Sequence, residues 1–345
     1  MTPLRRPSVS GVLVIAVVLG ILLFGAEVGL RAVDGRLVEP LDWHDWEAQA
    51  KADQIEALAA KDPIPIVTVG TSAMHFGLDP VQLRAELPGN PLVYNAALPG
   101  GIPRIMDIWT EHLVFPKLRP KVIVLGVNST DVNDAGTQKG FFRYFENSKA
   151  VRRLTGRSSV IEQMDHRIMS WSALWRYRTL LRKPVTFVDA LRGHRPPNPG
   201  DTITAFGLDV GRRRRVVDAS PEKVQDFVDR RRNSWLRNYT IGGVESAALR
   251  RMVERARSAG IKVVIVEMPI GDYYLRAHPN GEQDYAKFRQ EIETLVQETG
   301  SSFLDASRSV TPTPDHFSDF VHLNGKGAKV FTSYLAGELR KMGLA

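Results

Sequence analysis

The apolar and polar positions fall into three regimes along the chain. Residues 7–26 are twenty uncharged positions rich in Val, Leu, Ile and Gly, with Arg5 and Arg6 before them and Glu27 after. At about 1.5 Å of rise per residue, such a run just spans a bilayer as one helix. From residue 64 onward, short apolar, β-branched runs alternate with stretches of helical spacing. Strands are expected at 64–70, 91–98, 121–128, 262–269 and 301–307, and helices at 80–87, 103–118, 244–259, 283–298 and 325–342. The last helix opens after Asn324, a residue suited to an N-cap, and closes at Gly343, suited to a C-cap. Strands that are apolar on both faces and alternate with helices imply a parallel sheet covered on both sides. The expected fold class is α/β, a three-layer α/β/α sandwich on a five-stranded parallel sheet, with its site at the carboxyl ends of the strands.

The third regime, 137–245, breaks the alternation. It carries aromatics (Phe141, Phe142, Tyr144, Trp171, Trp175), a Pro/Gly/Asn stretch at 195–200, and arginine runs at 212–215 and 230–232. A plain loop is never this long in a compact domain, so a partly helical cap over the strand ends is expected. The parts in order are an anchor (1–30), a stalk or leading helix (31–62), the first part of the core (63–136), the basic cap (137–245) and the second part of the core (246–345).

Charge sharpens this division. The cap region holds 22 Lys or Arg against 11 Asp or Glu, whereas the rest of the chain holds 24 against 27. Recruitment of a polyanion is therefore an option for this segment alone, beside the plainer reading of a solvated basic face. The absence of cysteine excludes disulfides, thiolate catalysis and cysteine-ligated metal. At the N-terminus, a cleaved leader would need a small residue where Phe24 stands, which favours an uncleaved anchor. Arg5 and Arg6 then place the N-terminus in the cytoplasm and the remainder outside, with Arg31 and Arg36 opposing that orientation.

Three segments carry candidate chemistry. The first strand runs into Gly70-Thr71-Ser72, which presents a hydroxyl at a strand's carboxyl end. A serine needs a base to become a nucleophile, and Asp319-Phe320-Val321-His322 supplies a carboxylate and an imidazole three residues apart, just before the last helix. Asp319 could hold one ring nitrogen while the other faces Ser72. The second strand runs into Pro99-Gly100-Gly101 and the third into Val127-Asn128-Ser129. The Ser72 and Gly100 N–H groups and the neutral Asn128 amide would make a three-donor oxyanion hole. Taken singly, each segment reads at least as well as a turn or a cap. Asp315, His316, Asp319 and His322 could also ligate zinc, but no further spaced ligand set accompanies them.

Together the order Ser, Gly, Asn, then Asp-x-x-His resembles that of the SGNH (GDSL-like) hydrolases. Gly70-Thr71-Ser72 stands for the family's Gly-Asp-Ser, Gly100 for its second-block glycine, Asn128 for its third-block asparagine, and Asp319 with His322 for its fifth-block pair. Gly77-Leu78-Asp79-Pro80 and His322-Leu323-Asn324 look like the anchored, extracytoplasmic branch that handles O-acyl groups on cell-surface glycans. Thr71 departs from the family's aspartate, and Ser129 from the aspartate that usually follows the asparagine. The resemblance implies a flavodoxin-like strand order, a catalytic triad of Ser72, Asp319 and His322, and no cofactor or metal. It further implies serine-dependent ester hydrolysis or O-acyl transfer, with an acyl ester and a glycan acceptor as partners and no nucleic acid. The rival is a catalytically silent anchored protein on the same fold that binds anionic glycans.

Overall fold

The computed structural model describes residues 9–37, 40–193, 198–271, 273–310 and 312–344. Arg5, Arg6 and the first residues of the stretch at 195–200 lie outside the described residues. The chain forms two compact units, one of Met1–Asp42 with Gly156–Pro197 and one of Trp43–Thr155 with Asn198–Ala345.

The larger unit holds the sheet. Its strands are β1 (Ile66–Gly70), β2 (Val93–Asn95), β3 (Val122–Val127), β4 (Lys262–Glu267) and β5 (Ser302–Asp305), all parallel, in the order β2-β1-β3-β4-β5. All five expected strands form. The chain leaves β1 toward β2 on one side and returns to β3 on the other, so the topological switch point lies between β1 and β3. Open parallel sheets bind ligands at that crevice.

The helices, in chain order, are α1 (Val9–Ala32), α2 (Trp46–Ala59), α3 (Ser72–Gly77), α4 (Pro80–Glu86) and α5 (Pro103–Trp109). Between β3 and β4 come α6 (Lys139–Glu146), α7 (Val160–Trp171), α8 (Ala173–Arg176), α9 (Pro184–Leu191), α10 (Pro221–Asn233) and α11 (Val244–Ser258), with further short turns. α12 (Glu282–Thr299) lies between β4 and β5 and α13 (Gly325–Lys341) follows β5, and shorter helices, Lys149–Leu154 among them, fill the connections. The helix expected at 103–118 is interrupted by a π turn at Thr110–Val114. Pro116, just beyond it, has no N–H and crowds the carbonyl four residues back, and the wider turn accommodates that ring.

Successive strand residues face opposite layers, yet both layers are apolar. In β3, Ile123, Leu125 and Val127 join a cluster with Trp109, Met252 and Phe288, whereas Val122 and Val124 join one with Leu83, Phe331 and Leu335. Each such fully buried side chain contributes about 1.5–3 kcal/mol. The leading helix expected before the sheet is α2, and it is part of this core: Ala48, Ala52 and Ile55 are buried, as is Lys51.

In the smaller unit, α1 is 24 residues long, about 36 Å, long and apolar enough to cross a membrane. The segment expected as a single cap is divided between the units, 156–197 belonging with α1 and the remainder with the sheet.

Candidate active site

β1 ends at Gly70, where φ is +145° and a Cβ would lie 2.6 Å from the Gly126 carbonyl oxygen. Only glycine lets β1 and β3 approach so closely at their carboxyl ends. Thr71 follows in extended conformation as the N-cap, and Ser72 is the first residue of α3. A residue in that position keeps an N–H with no intrahelical acceptor.

The C-terminal loop brings in Asp319 and His322. An antiparallel bridge between Phe317 and Leu323 and a hydrogen bond from Ser318 N–H to the His322 carbonyl (2.8 Å) close a tight turn over residues 318–322. Asn324 locks it in place. Its Nδ2 donates to the carbonyls of Asp315 (2.8 Å), Phe317 (3.2 Å) and Arg215 (3.0 Å), while its Oδ1 caps α13 at Lys326 N–H and Gly327 N–H.

His322 Nε2 lies 2.7 Å from Ser72 Oγ, and His322 Nδ1 lies 2.7 Å from Asp319 Oδ2 and 2.9 Å from Oδ1. Asp319 Oδ1 also accepts the N–H groups of Val321 and His322, each at 2.9 Å. Burial raises the Asp319 carboxyl, but its hydrogen bonds and charge contact with His322 outweigh this and hold it well below the usual carboxylate range. An ionised carboxylate only accepts, so the neutral ring carries its proton on Nδ1 and offers Nε2 to the serine hydroxyl. Asp315 and His316 do not join this pair: Asp315 binds Lys326, and His316 Nδ1 accepts Thr313 N–H at 3.2 Å.

The other two predicted residues sit at neighbouring strand ends. Leu98 N–H bonds the Gly70 carbonyl at 3.1 Å, so the chain at 98–101 wraps the end of β1. Gly100 has φ +65°, and a Cβ there would meet the Phe141 ring at 2.9 Å. Asn128 is buried at the end of β3, its backbone N–H bonded to Asp131 Oδ2 at 2.8 Å and its Oδ1 without a partner among the described residues. Thr71 Oγ1 reaches the same Asp131 oxygen at 3.4 Å. Asp131 thus places a carboxyl beside Asn128 and beside Thr71, where the chain departs from the family's aspartate, and burial pushes that carboxyl up to about 7.

Sequence reasoning missed two groups. The first is Arg212, whose Nη1 lies 2.6 Å from Asp319 Oδ2 and whose guanidinium lies 4.8 Å from the centre of the Phe76 ring. Phe76 in turn packs edge-on against His322, with ring centres 5.1 Å apart. Arg213 pairs with Asp79 at 2.9 Å, and its carbonyl accepts Gly325 N–H. Two of the four arginines in the run at 212–215 are therefore engaged with carboxylates around the histidine loop.

The second group is a buried charge cluster behind Ser72. Lys51 Nζ donates to the carbonyls of Asn95 (2.8 Å) and Ala97 (2.6 Å). His75 Nδ1 faces the Ala97 carbonyl at 3.0 Å and its Nε2 faces Asp209 Oδ2 at 3.4 Å, while Asp209 Oδ1 accepts Gly211 N–H at 2.7 Å. Burial, with Lys51 adding to it, pulls His75 down to about 4, and burial pulls Lys51 down to about 7. Glu47, His75 and Asp209 also have donor atoms within 4.8 Å of one another, the kind of grouping that can hold a cation. Lys51 already places an ammonium in the field of both carboxylates. The cluster ties α2, α3 and the end of β2 to Asp209, three residues before Arg212. Nothing in the sequence signals either group, because the partners lie far apart along the chain: 107 positions for Arg212 and Asp319, 134 for His75 and Asp209, and 44 and 46 for Lys51 and its two carbonyls.

Aromatic side chains from the insertion border the site. Phe141 lies against Trp235 (5.6 Å between ring centres), and Phe227 stacks on Phe320 (4.9 Å), the residue after Asp319.

The sequence pattern of the GDSL-like lipase/acylhydrolase family matches residues 79–330, a span that includes Asn128, Asp319 and His322 and starts just after Ser72. No curated protein matches the chain. Among solved structures it is similar to a GDSL-like lipase from Bacteroides thetaiotaomicron, with 10% identity, TM-score 0.39, and coverage of 85% of this chain and 98% of that one. It is also similar to the esterase EstA from a Pseudoalteromonas species (10%, TM-score 0.37, 82% and 100%). A third is a carbohydrate acetylesterase family member from Sinorhizobium meliloti (13%, TM-score 0.34, 81% and 98%). Likenesses this distant carry no weight for substrate. The family match spans well over half of the sequence, and the chain belongs to the GDSL-like lipase/acylhydrolase family.

Proposed function

We propose that the protein is an anchored serine esterase or O-acyltransferase, with Ser72 as nucleophile, His322 as general base and acid, and Asp319 as the carboxylate that orients His322. The observation that carries this reading is the unbroken relay from Asp319 Oδ2 through His322 to Ser72 Oγ, with both contacts at 2.7 Å. Ser72 Oγ attacks the ester carbonyl carbon while His322 Nε2 takes the hydroxyl proton. The oxyanion is held by the N–H groups of Ser72 and Gly100 and by the Asn128 amide. The bond to the leaving alkoxide breaks, and His322 returns its proton to that oxygen. Water or a sugar hydroxyl then attacks the acyl-enzyme, again deprotonated by His322, and Ser72 is regenerated.

Hydrolysis and transfer differ only in which acceptor reaches the acyl-enzyme. A cell-surface carbohydrate is the acceptor favoured by the stretches around Asp79 and Asn324 and by the aromatic border of the site, since rings suit sugar faces. Arg212 and Arg213 are engaged with Asp319 and Asp79, so selectivity for an anionic acceptor would fall to the exposed Arg214 and Arg215. The purified protein incubated with an acyl ester should release the acid alone if it is an esterase. If it is a transferase, a glycan acceptor should become acylated. Failure of both reactions in the folded protein would sink the enzymatic reading. For the anchor, protease added to spheroplasts should digest the sheet-bearing unit; digestion only after lysis would reverse the proposed topology.

A further inference from the structure

The segment 156–197 is fastened on one side to the last turns of α1. The Glu27 carboxylate accepts the Ser172 hydroxyl (3.1 Å) and the N–H groups of Ala173 (2.8 Å) and Leu174 (2.9 Å), and so caps α8. Arg31 donates to the Trp171 carbonyl, and Asp34 takes Arg176 at 3.2 Å and the Tyr177 hydroxyl. Leu30 and Leu37 are buried with Ala173, Tyr177 and Ala190.

On the other side the polar residues of α7 are paired, Asp165 with Trp175 and Arg178 and His166 with Asp42, but the apolar ones are left uncovered among the described residues. α7 buries none of its residues, yet carries apolar side chains at 160, 161, 164, 168 and 171, a single helical stripe. Ile161 is 79% exposed and Trp171 65%, and Trp175 and Val185 are exposed beside them. The same segment holds eight Lys or Arg against three Asp or Glu. Apolar residues, tryptophans and an excess of cations together are the composition of a surface that lies in the headgroup layer of an anionic membrane.

We propose that 156–197 is a membrane-interface element: it lies in the lipid headgroup layer at the face where α1 ends, with the α7 stripe and the two tryptophans dipping to the acyl boundary. The inference rests on α1 spanning the membrane. The exposed apolar surface of α1, from Val12 to Val28, runs out next to the residues that fasten the segment, so the two apolar surfaces adjoin. The bilayer is the occupant because it is already present at the end of α1 and matches the segment in both polarity and charge.

Tryptophan fluorescence tests this in the full-length protein reconstituted into vesicles containing anionic lipid, with bromine placed on the acyl chains near the glycerol. Six tryptophans are present in the chain and none lies in α1. Brominated lipid should quench the emission, and Trp171→Phe with Trp175→Phe should remove at least half of that quenching, while aqueous iodide should hardly touch the two residues. Quenching that is unchanged by the double substitution, or iodide quenching of these two residues, would overturn the proposal. So would protection from both quenchers, which would mean that a second copy or another protein covers them. Retention on the vesicles after an alkaline wash reports on α1 separately. A chain that is retained but unquenched refutes the interface element alone, and one that is stripped refutes the span and with it the element that rests on it.

Discussion

The sheet-bearing unit and the segment 156–197 are written in the same alphabet of amphipathic helices and complete them differently. In α13, Ala328, Phe331, Leu335 and Leu339 recur at helical spacing and vanish against β1, β3 and β4. In α7, the equivalent stripe stays in the open. An amphipathic pattern states that a face must be covered and leaves open what covers it. The charged residues differ in the same way. Around the histidine loop, arginines are paired with Asp319 and Asp79, whereas in 156–197 cations outnumber anions by five.

If the chemistry belongs to the sheet-bearing unit alone, substitutions there and in 156–197 should separate cleanly. Ser72→Ala and His322→Ala should each lower turnover of an aryl acetate by several orders of magnitude, because the two act as a unit. Asn128→Ala should lower kcat by roughly 10²–10³ with little change in KM, as measured by steady-state kinetics, since its amide is assigned to the oxyanion and not to the bound ester.

Asp131 gives a stability effect within the same unit. Burial raises its folded-state value from 3.8 to about 7. Its contribution is therefore fully present below about pH 4 and is lost as pH rises through 7. In Asp131→Asn this loss should disappear, so the variant should gain on the wild type by up to a few kcal/mol between pH 4 and 8 in denaturant titrations. A constant difference across that range would show that the carboxyl stays ionised in the fold.

Arg212→Ala should reduce kcat about tenfold, or about 1.4 kcal/mol. The acid limb of kcat/KM should also move to higher pH, because a carboxylate freed of the guanidinium stabilises a protonated imidazole more strongly. An unshifted profile would leave Arg212 a purely structural role. Trp171→Phe with Trp175→Phe should leave aryl acetate turnover unchanged. A loss there would tie 156–197 to the chemistry and dissolve the contrast between the two regions.

What could be read from the sequence follows the range of the interactions involved. The five strands and the helices after them declare themselves through local periodicity, and Asp319 with His322 through a three-residue spacing. Asn324 was legible as a cap because its side chain bonds its own helix, although its ties to Arg215 and Asp315 were not. Lys51, on a helix legible only as a stalk or leader, proves to be buried against the carbonyls of Asn95 and Ala97, 44 and 46 residues away. Arg212 looked like one of four equivalent basic residues, and only the folded chain distinguishes it by bringing Asp319 to it across 107 positions. The division of 137–245 was also invisible, because which helices dock on α1 depends on capping by Glu27 and burial with Leu30, contacts made across some 145 residues.

Labelling by a fluorophosphonate tests the central claim most directly, since the probe reacts with a serine only when a base has activated it. The wild-type protein should be labelled at Ser72. Ser72→Ala, folded by circular dichroism, should not be labelled, and His322→Ala should be labelled orders of magnitude more slowly. Labelling of Ser72→Ala at the wild-type rate, or at a residue other than Ser72 in the wild type, would contradict the account.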